Sequence, residues 1–455
     1  MDINEKNKEM FSEYPIPRAL ASMAVPTIIG QLIILIYNLA DTYWVGRTNN
    51  PTMVAGASLI LPYFTISIAF AGLAGVGGGS LIARLLGKGE LKDAKKVASF
   101  SIYLSVVIAL LFSLFTFLFM TPVLNLLGAT EETFSYAKDY AFYVIVIGAL
   151  PSVLSQCMAN ILRCVGFSKK AGFGITMGGI INMILDPIFM FLLLPSGYEI
   201  VGAGIATLVS NILSCLYFFY AIYRVKSPVI SLSPRMGFPQ KEYILSIFSV
   251  GFPNALNTFL WDMNCIVLNK LMAGYGSAAI AAVGIVLKAE RLPISIGIGL
   301  SQGMMPIVAY NYSARNKKRT IDTIKYARAV GVLFGIACIA LYELFAPAII
   351  GFFINNEETI RSGAIFLRVR ALATPLMFLC FFHTFIFQGF GKGSIATRLS
   401  LLRFILLNIP LLIILNHFFG QMGLVFTQVS ADTVTVALSL LTYYRFKKKE
   451  LDTLC

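Results

Sequence analysis

Two aspartates stand inside long apolar stretches of the chain, and each follows a polar residue by one helical turn. Asp41 follows Tyr37 in the first apolar run. Asp186 follows Asn182 in the fifth. Because residues four apart share one face of a helix, the members of each pair would project from the same side. An aspartate at mid-membrane costs roughly 2.5 to 3.5 kcal/mol on insertion scales, so such a carboxylate indicates an ion or proton site.

Two carboxylates and one amide oxygen form a set of hard oxygen donors. Such donors suit Na+, or H+ through protonation of a carboxylate in a dry cavity. The sixth apolar run adds hydroxyl groups, including that of Thr207, which could supply another oxygen. The alternative is static, with each aspartate satisfying freed backbone groups or pairing with a neighbour.

The second half of the chain carries a different set of charges within its apolar runs. They are Asp262 in the seventh run, Lys288, Glu290 and Arg291 in the eighth, and Arg368 and Arg370 in the tenth. These groups could line a wet cavity, or they could form a purely structural network of ion pairs. His383 stands alone in an aromatic stretch, which favours a buried core histidine over a proton relay.

The composition is that of a polytopic membrane protein. Of the 455 residues, 57% are hydrophobic and only 13% are charged, and the mean hydropathy is +0.78. Soluble domains carry about 25% charged residues. The seven cysteines show no metal-ligand spacing, and no glycine-rich loop continues into the Gly-Lys-Ser/Thr of a nucleotide site. We expect neither a cofactor nor an enzymatic activity.

Twelve stretches are long enough to cross a hydrocarbon core of about 30 Å. They cover residues 17–46, 53–82, 94–120, 136–164, 170–194, 201–225, 241–272, 278–310, 322–350, 361–388, 394–418 and 421–446. The sequence therefore predicts an all-α protein with twelve transmembrane helices.

Lysine and arginine mark alternate connections between these spans. The connections after the even-numbered spans, together with both terminal segments, hold 27 of the 36 basic residues. Basic connections stay on the cytoplasmic side, so we expect a plasma-membrane protein with both termini in the cytoplasm. This placement explains the net charge of +14 without nucleic acid. Lys447 to Lys449 could contact anionic lipid headgroups.

The two halves of the chain repeat each other at an offset of 224 to 227 residues. Pro26 corresponds to Pro253, and Pro151 corresponds to Pro375. Each unit has six spans, so both enter the membrane from the same side and a pseudo-twofold axis along the membrane normal relates them. The expected divisions are a first six-helix lobe at 1–225, a cytoplasmic linker at 226–240 and a second six-helix lobe at 241–455.

With these features the chain resembles the multidrug and toxic compound extrusion (MATE) transporters. The likeness is closest to the bacterial branch whose ion site lies in the first lobe. It covers residues from about 15 to 447 and is carried by the Pro26 bend, the Tyr37/Asp41 pair and the Asn182/Asp186 pair. The resemblance implies two lobes in a V, which export organic, often cationic, amphiphilic compounds against an inward H+ or Na+ gradient.

The resemblance also implies roles for individual residues. The cation or proton would be held by Asp41, Asn182, Asp186 and Thr207, with Na+ as a candidate ligand of the first three. The substrate cavity would be lined by Tyr37, Asp262 and Glu290. We expect drug-like small molecules and membrane lipids as partners, and a monomer.

A flippase for lipid-linked saccharides from the same superfamily is the main alternative function. It would need a broad basic cavity for a pyrophosphate, and Arg368 and Arg370 keep that alternative open. A channel or a membrane receptor is more distant, because the chain has neither a filter sequence nor a signalling domain. An uptake transporter is a further alternative, and both H+ and Na+ stay open as the coupling ion.

Overall fold

A computed structural model describes residues 9–225, 227–233 and 237–453, and every regular element in these ranges is helical. The first half contains α1 (Ile16–Gly46), α2 (Pro51–Lys88), α3 (Leu91–Leu118), α4 (Met120–Leu126), α5 (Glu131–Ala141), α6 (Ala149–Cys164), α7 (Ser168–Pro187) and α8 (Glu199–Val225). The second half contains α9 (Lys241–Met272), α10 (Ser277–Ser313), α11 (Lys317–Phe353), α12 (Glu357–Ala371), α13 (Thr374–Gly389), α14 (Gly393–Leu401) and α15 (Ile409–Phe446).

The helices account for twelve membrane crossings. In the described part of the chain, eight helical segments are long and apolar enough to cross a membrane, and two bent pairs raise the number to ten. The pairs are α5 with α6, bent by 48°, and α12 with α13, bent by 45°. The 59-residue segment Gly393–Leu451 breaks at Gly420 and holds two crossings. The 37 residues of α10 add the twelfth, since they extend about 55 Å.

Local sequence signals set the ends of these helices. Asn50 begins α2 by accepting hydrogen bonds from the backbone N–H groups of Thr52 and Met53, and Pro51 occupies the first turn. Gly89 ends α2 in the left-handed region, with φ of 79°, which lets the chain turn at once into α3. Gly420, with φ of 58° and ψ of −142°, breaks α15 in a different backbone conformation that also favours glycine.

Apolar cores fill both lobes and also join them. Phe218, Met158 and Ile82 are fully buried in the first lobe, and Phe366 is fully buried in the second. Phe382 is fully buried in a cluster that also includes Met23 and Ala24 of α1, so this core extends across the interface between the lobes.

The two lobes meet through symmetry-related helix pairs. Helix α2 packs against α9, α1 packs against α10, and α2 meets α10 in the centre. A Cβ atom at Gly77 would collide with the carbonyl of Ile247, and one at Gly303 would lie 2.5 Å from Cα of Ala24. Gly303 lies 226 positions after Gly77, within the repeat offset. The two close approaches are therefore equivalent contacts, related by the internal repeat of the chain.

Hydrogen bonds between the lobes extend from mid-span to the side of the basic connections. The two bonds near mid-span join Gln31 to Gln302 at 3.2 Å and Thr65 to Asp262 at 2.6 Å. Nearer the basic connections, Nη2 of Arg84 donates a hydrogen bond to Oγ of Ser246 at 2.8 Å. Among the described residues of α1, α2, α9 and α10, no interlobe hydrogen bond lies beyond Thr65 and Asp262 toward the acidic connections.

A short N-terminal arm, residues 9–14, crosses from the first lobe to the second. Phe11 is 1% exposed and stacks on Tyr310 with ring centroids 5.2 Å apart. Its carbonyl oxygen accepts hydrogen bonds from Asn311 at 2.9 Å and from Arg319 at 2.6 Å. Because α1 begins directly after the arm, these contacts tie the first lobe to the second on the basic side.

Candidate cation site

Close packing of α1 on α7 brings the two carboxylate-bearing faces together. A Cβ atom at Gly172 would collide with the carbonyl of Pro26, and one at Gly179 would lie 3.3 Å from Cδ1 of Tyr37. The two glycines are seven residues apart, so they occupy one face of α7, and Asp186 lies a further seven residues along it. The two helices are parallel and in register, which places Asp186 beside the segment of α1 that carries Asp41.

Asp186 and Asn182 form the α7 side of the site. Asp186 is 0% exposed, and its Oδ1 accepts a hydrogen bond from Nδ2 of Asn182 at 3.1 Å. The same Nδ2 lies 3.4 Å from Oγ1 of Thr207 on α8. The amide therefore links α7 to α8 and holds the Asp186 carboxylate in one orientation.

Asp41 and Tyr140 form the opposite side. The Tyr140 hydroxyl, on α5, donates to Oδ2 of Asp41 at 3.2 Å. The carboxylates of Asp41 and Asp186 lie close enough to repel each other when both are charged. The hydroxyl groups of Tyr140 and Tyr37 are each close enough to be influenced by the charge of both carboxylates. Four helices of the first lobe thus contribute to one polar cluster.

Three oxygen atoms of this cluster are buried and lack a hydrogen-bond partner within the described structure. They are Oδ1 of Asp41, Oδ1 of Asn182 and Oδ2 of Asp186. An unsatisfied buried acceptor costs about 1–3 kcal/mol, and more when it is charged. A cation coordinated by these oxygens, or a proton on a carboxylate, would remove that cost.

The helix containing Asp186 changes geometry immediately after it. Pro187 ends α7, and the chain continues as a π-helical turn at Ile188–Leu193. Proline lacks a backbone N–H and frees a carbonyl one turn earlier, and π-helical turns occur often at functional sites. The aspartate therefore lies where the helix is locally widened.

The structure brings together all four residues predicted for the cation site, together with Tyr37. It adds Tyr140, which sequence reasoning missed. The spacing of polar residues within α5 does not distinguish Tyr140 as a site residue, because its role depends on the packing of α5 against α1. Described residues include no cluster of three or more His, Cys, Asp or Glu side chains suited to a metal ion. Two carboxylates with amide and hydroxyl oxygens suit H+ or Na+ better than a transition metal.

The charged residues of the second lobe are arranged differently. Arg370 donates from Nε and Nη2 to both oxygens of Glu290, at 2.7 and 2.9 Å, and both side chains are 3% exposed. Arg403 makes the same bidentate contact with Asp432, with Nε and Nη2 donating to the two carboxylate oxygens at 2.7 and 3.0 Å. This second pair could not be predicted from the sequence, since its members lie 29 residues apart in separate apolar runs. Both carboxylates are already neutralised by a fixed cation.

The predicted substrate-lining residues therefore have different surroundings. Glu290 is buried against Arg370, so its carboxylate is already paired with a fixed cation. Asp262 lies between the lobes, where it accepts a hydrogen bond from Thr65 of the first lobe at 2.6 Å and lies 3.8 Å from Arg291 of the second. Its side chain is 20% exposed. His383 is buried with Nδ1 2.9 Å from the Ser439 hydroxyl, as expected of a core histidine.

Comparisons with known proteins identify the family of the chain. The MatE family model matches the chain twice, over residues 26–188 and 253–414. The multidrug export protein MepA of Staphylococcus aureus is 31% identical over 442 residues, which is 96% of each chain. MepA of Staphylococcus saprophyticus is 30% identical over 441 residues, again 96% of each.

Solved structures share the whole architecture. A MATE protein crystallised in complex with MaL6 superposes with a TM-score of 0.90 at 25% identity, covering 98% of this chain and 100% of the other. A MOP superfamily transporter from Pyrococcus furiosus gives 0.89 at 25% identity, covering 97% and 99%. The two matches to the family model begin at Pro26 and Pro253, the prolines that mark the repeat. The chain belongs to the MatE family of membrane transporters, with twelve membrane crossings in two lobes of six.

Proposed function

We propose that this protein is a secondary active multidrug efflux transporter. It would export organic, often cationic, amphiphilic compounds in exchange for H+ or Na+. Family membership supports transport rather than enzymatic chemistry, and the similar staphylococcal proteins are multidrug export proteins. We infer drug-like small molecules as substrates, a monomer, and no cofactor other than the coupling ion.

One observation carries the proposal of ion coupling. The buried cluster of the first lobe presents three oxygens without partners, whereas Glu290 and Asp432 in the second lobe are each neutralised by an arginine. Two nearby carboxylates in a low-dielectric site repel each other unless a cation or proton lies between them. The first lobe is therefore the part of the molecule that would gain most from binding an exchangeable ion.

The coupling follows from differential affinity. A cation at Asp41 and Asp186 would draw α1 toward α7 and favour one packing of the first lobe. Substrate binding in the cleft, beside Tyr37 and Asp262, would favour the other packing. Each ligand shifts the equilibrium only by the difference in its affinity for the two states.

We also propose the orientation and the division of the chain. The basic side would face the cytoplasm, with both termini there, in the plasma membrane. The lobes would be residues 1–225 and 241–455, joined by a linker at 226–240. Part of that linker, residues 226 and 234–236, lies outside the described residues, as do residues 1–8, 454 and 455.

The flippase alternative is less well supported. Recognition of a pyrophosphate requires arginines that are free to face a cavity. Arg370 instead binds Glu290 within the core, and Arg368 lies 3.6 Å from Glu343. The Arg370 side chain is therefore not available to line a basic cavity, and the half-exposed Arg368 alone provides one arginine rather than a broad basic surface.

Transport into inside-out membrane vesicles tests the proposal. We expect ethidium to accumulate in vesicles that contain the protein when H+ or Na+ is more concentrated inside. Imposing each gradient alone and then both together identifies the coupling ion. Accumulation that persists when both gradients are collapsed, or that requires added ATP, would reject an ion-coupled exporter.

A further inference from the structure

The last helix leads, on the basic side, into a short segment that folds back onto the second lobe. After the break at Gly420, α15 extends about 39 Å to Phe446, which is longer than a hydrocarbon core of about 30 Å. The next residues form a π-helical turn, Lys447–Leu451, and the N–H of Asp452 donates to the carbonyl of Lys447 at 2.8 Å. This segment therefore lies beyond the hydrocarbon core, where the lipid headgroups are. We call residues 447–452 the C-terminal clasp.

Two carboxylates of the C-terminal clasp bind lysines, two of which belong to other connections. Oε1 of Glu450 accepts a hydrogen bond from Nζ of Lys392 at 2.7 Å. Oδ1 of Asp452 lies 3.5 Å from Nζ of Lys317, which also donates to the backbone carbonyl of Asp452 at 3.0 Å. Nζ of Lys447 donates to Oδ2 of the same aspartate at 3.2 Å. Three lysines from separate parts of the chain thus share two acidic side chains.

The clasp also contacts the region where the lobes meet on the basic side. Leu451 is fully buried in the apolar cluster that includes Ala24 of α1, in the first lobe. Oε2 of Glu450 accepts a hydrogen bond from the hydroxyl of Tyr312, at the end of α10, at 3.0 Å. Tyr312 in turn lies close to Arg84, the first-lobe arginine that donates across the interface. The clasp therefore supports the end of the second lobe at the point where the first lobe contacts it.

The ion pairs of the clasp are weak enough to be exchanged. Every side chain in the three pairs is between 30% and 38% exposed. A pair of this kind contributes about as little to stability as a single lysine gains near an anionic membrane surface. Lys448 and Lys449 lie exposed within the clasp and form no ion pair in the described part of the chain, so they are free to attract anionic headgroups. Those headgroups would also repel the carboxylates of Glu450 and Asp452.

We propose that anionic lipid headgroups bind the three lysines of these pairs in place of Glu450 and Asp452. This exchange releases the C-terminal clasp and loosens the contact between the lobes on the basic side. The chemistry is a phosphate group paired with lysine ammonium groups, and a lipid presents that phosphate at the membrane surface, where these lysines lie. The inference goes beyond the proposed export function, since it assigns a partner and a regulatory role to a segment outside the candidate cation site.

The mobility of a spin label in lipid nanodiscs tests the release. The label is attached at Thr453→Cys, next to the clasp, in a background whose native cysteines are replaced. When half of the phosphatidylcholine is replaced by phosphatidylglycerol, we expect the ratio of mobile to immobile label to rise about fivefold, the effect of one lysine–headgroup contact. Glu450→Gln combined with Asp452→Asn should raise this ratio already in phosphatidylcholine alone, because the lysines lose their internal partners. Identical spectra of the parent in the two lipids would overturn the proposal.

A second measurement tests the consequence for the lobes. Spin labels at Lys95 and Lys325, on basic connections of the two lobes, should lie farther apart in the presence of phosphatidylglycerol. They should also lie farther apart in the Glu450→Gln, Asp452→Asn double variant. A double variant with a mobile clasp and an unchanged distance between these labels would show that the clasp does not hold the lobes together, and the proposal would be wrong.

The controls separate lipid from free anion and from charge removal elsewhere. Glu132→Gln removes an exposed carboxylate on the acidic side and should respond to phosphatidylglycerol as the parent does. Inorganic phosphate at the same ionic strength should not release the clasp in phosphatidylcholine nanodiscs. Equal release by inorganic phosphate would assign the lysines to a free anion and overturn the lipid assignment. Neither an ion gradient nor an export substrate is used, so the result is independent of the proposed export function.

Discussion

Gly179 on α7 lies directly against Tyr37 on α1, and this contact sets the distance between the two carboxylate-bearing helices. A Cβ atom at Gly179 would lie 3.3 Å from Cδ1 of Tyr37 and 2.5 Å from Cγ2 of Ile33. The second distance is too short for any side chain unless Ile33 or α1 shifts. The geometry of the candidate cation site therefore depends on Gly179, which has no side chain that could bind an ion.

Enlarging Gly179 should uncouple transport without preventing folding. Gly179→Val would push α1 away from α7 and separate Asp41 from Asp186, so we expect gradient-driven ethidium accumulation to fall at least tenfold. Gly284 on α10 is the matched control, because a Cβ atom there would meet nothing within 4 Å. Gly284→Ala should transport as the parent does and be slightly more stable, by about 0.5–1 kcal/mol. Normal transport by Gly179→Val would show that helix spacing does not control the site.

Removing the Tyr140 hydroxyl should shift the ion affinity without abolishing transport, because Asp41 loses a donor that stabilises its ionised form and would hold a proton more tightly. Tyr140→Phe deletes the donor to Asp41, and a hydrogen bond to a charged group is worth about 1.5–3 kcal/mol. We expect a shift of about tenfold or more in the ion concentration that gives half-maximal transport. Tyr136→Phe, one turn earlier and bonded to Asn50 outside the site, should leave this concentration unchanged. Equal behaviour of the two variants would remove Tyr140 from the site.

The membrane spans and most of the site follow from the sequence for clear physical reasons. The run predicted at 278–310 is observed as α10, Ser277–Ser313, because the bilayer demands long uninterrupted apolar helices. The Tyr37/Asp41 and Asn182/Asp186 pairs can be predicted from the sequence, because residues four apart share one face of a helix. The roles of Tyr140 and of the Arg403–Asp432 pair cannot be predicted from the sequence, because their contacts depend on how separate helices pack against each other. The 48° bend between α5 and α6 also depends on that packing.

Breaking the Arg403–Asp432 pair should destabilise the second lobe. Both side chains are at most 3% exposed, so Arg403→Met leaves a buried carboxylate without its cation. Such a loss costs about 3–5 kcal/mol, and we expect a clearly lower thermal unfolding midpoint in detergent. Arg403→Met combined with Asp432→Asn should recover much of the loss. Arg368→Met breaks a half-exposed pair and should cost under about 1 kcal/mol. Similar midpoints for the two single variants would contradict this account.

Loosening the N-terminal arm should favour opening on the basic side. Phe11→Ala removes the stacking on Tyr310 and exposes the pocket in the second lobe. Spin labels at Lys95 and Lys325 report the separation of the lobes there, and we expect the distance distribution to move toward longer values. Tyr198→Ala, on an exposed outer connection, should leave the distribution unchanged. A distribution in Phe11→Ala identical to that of the parent would show that the arm does not hold the lobes together.

The central claim is that Asp41 and Asp186 share one exchangeable ion that drives export. Its most direct test is gradient-driven ethidium accumulation in inside-out vesicles by Asp41→Asn, Asp186→Asn and the double variant, with His383→Gln as the control. Each aspartate variant should fold, bind tetraphenylphosphonium as the parent does, and accumulate no more ethidium than vesicles without the protein. The double variant should be no worse than the worse single one, as expected of residues that act as a unit. Full coupled accumulation by either single variant would contradict the shared site.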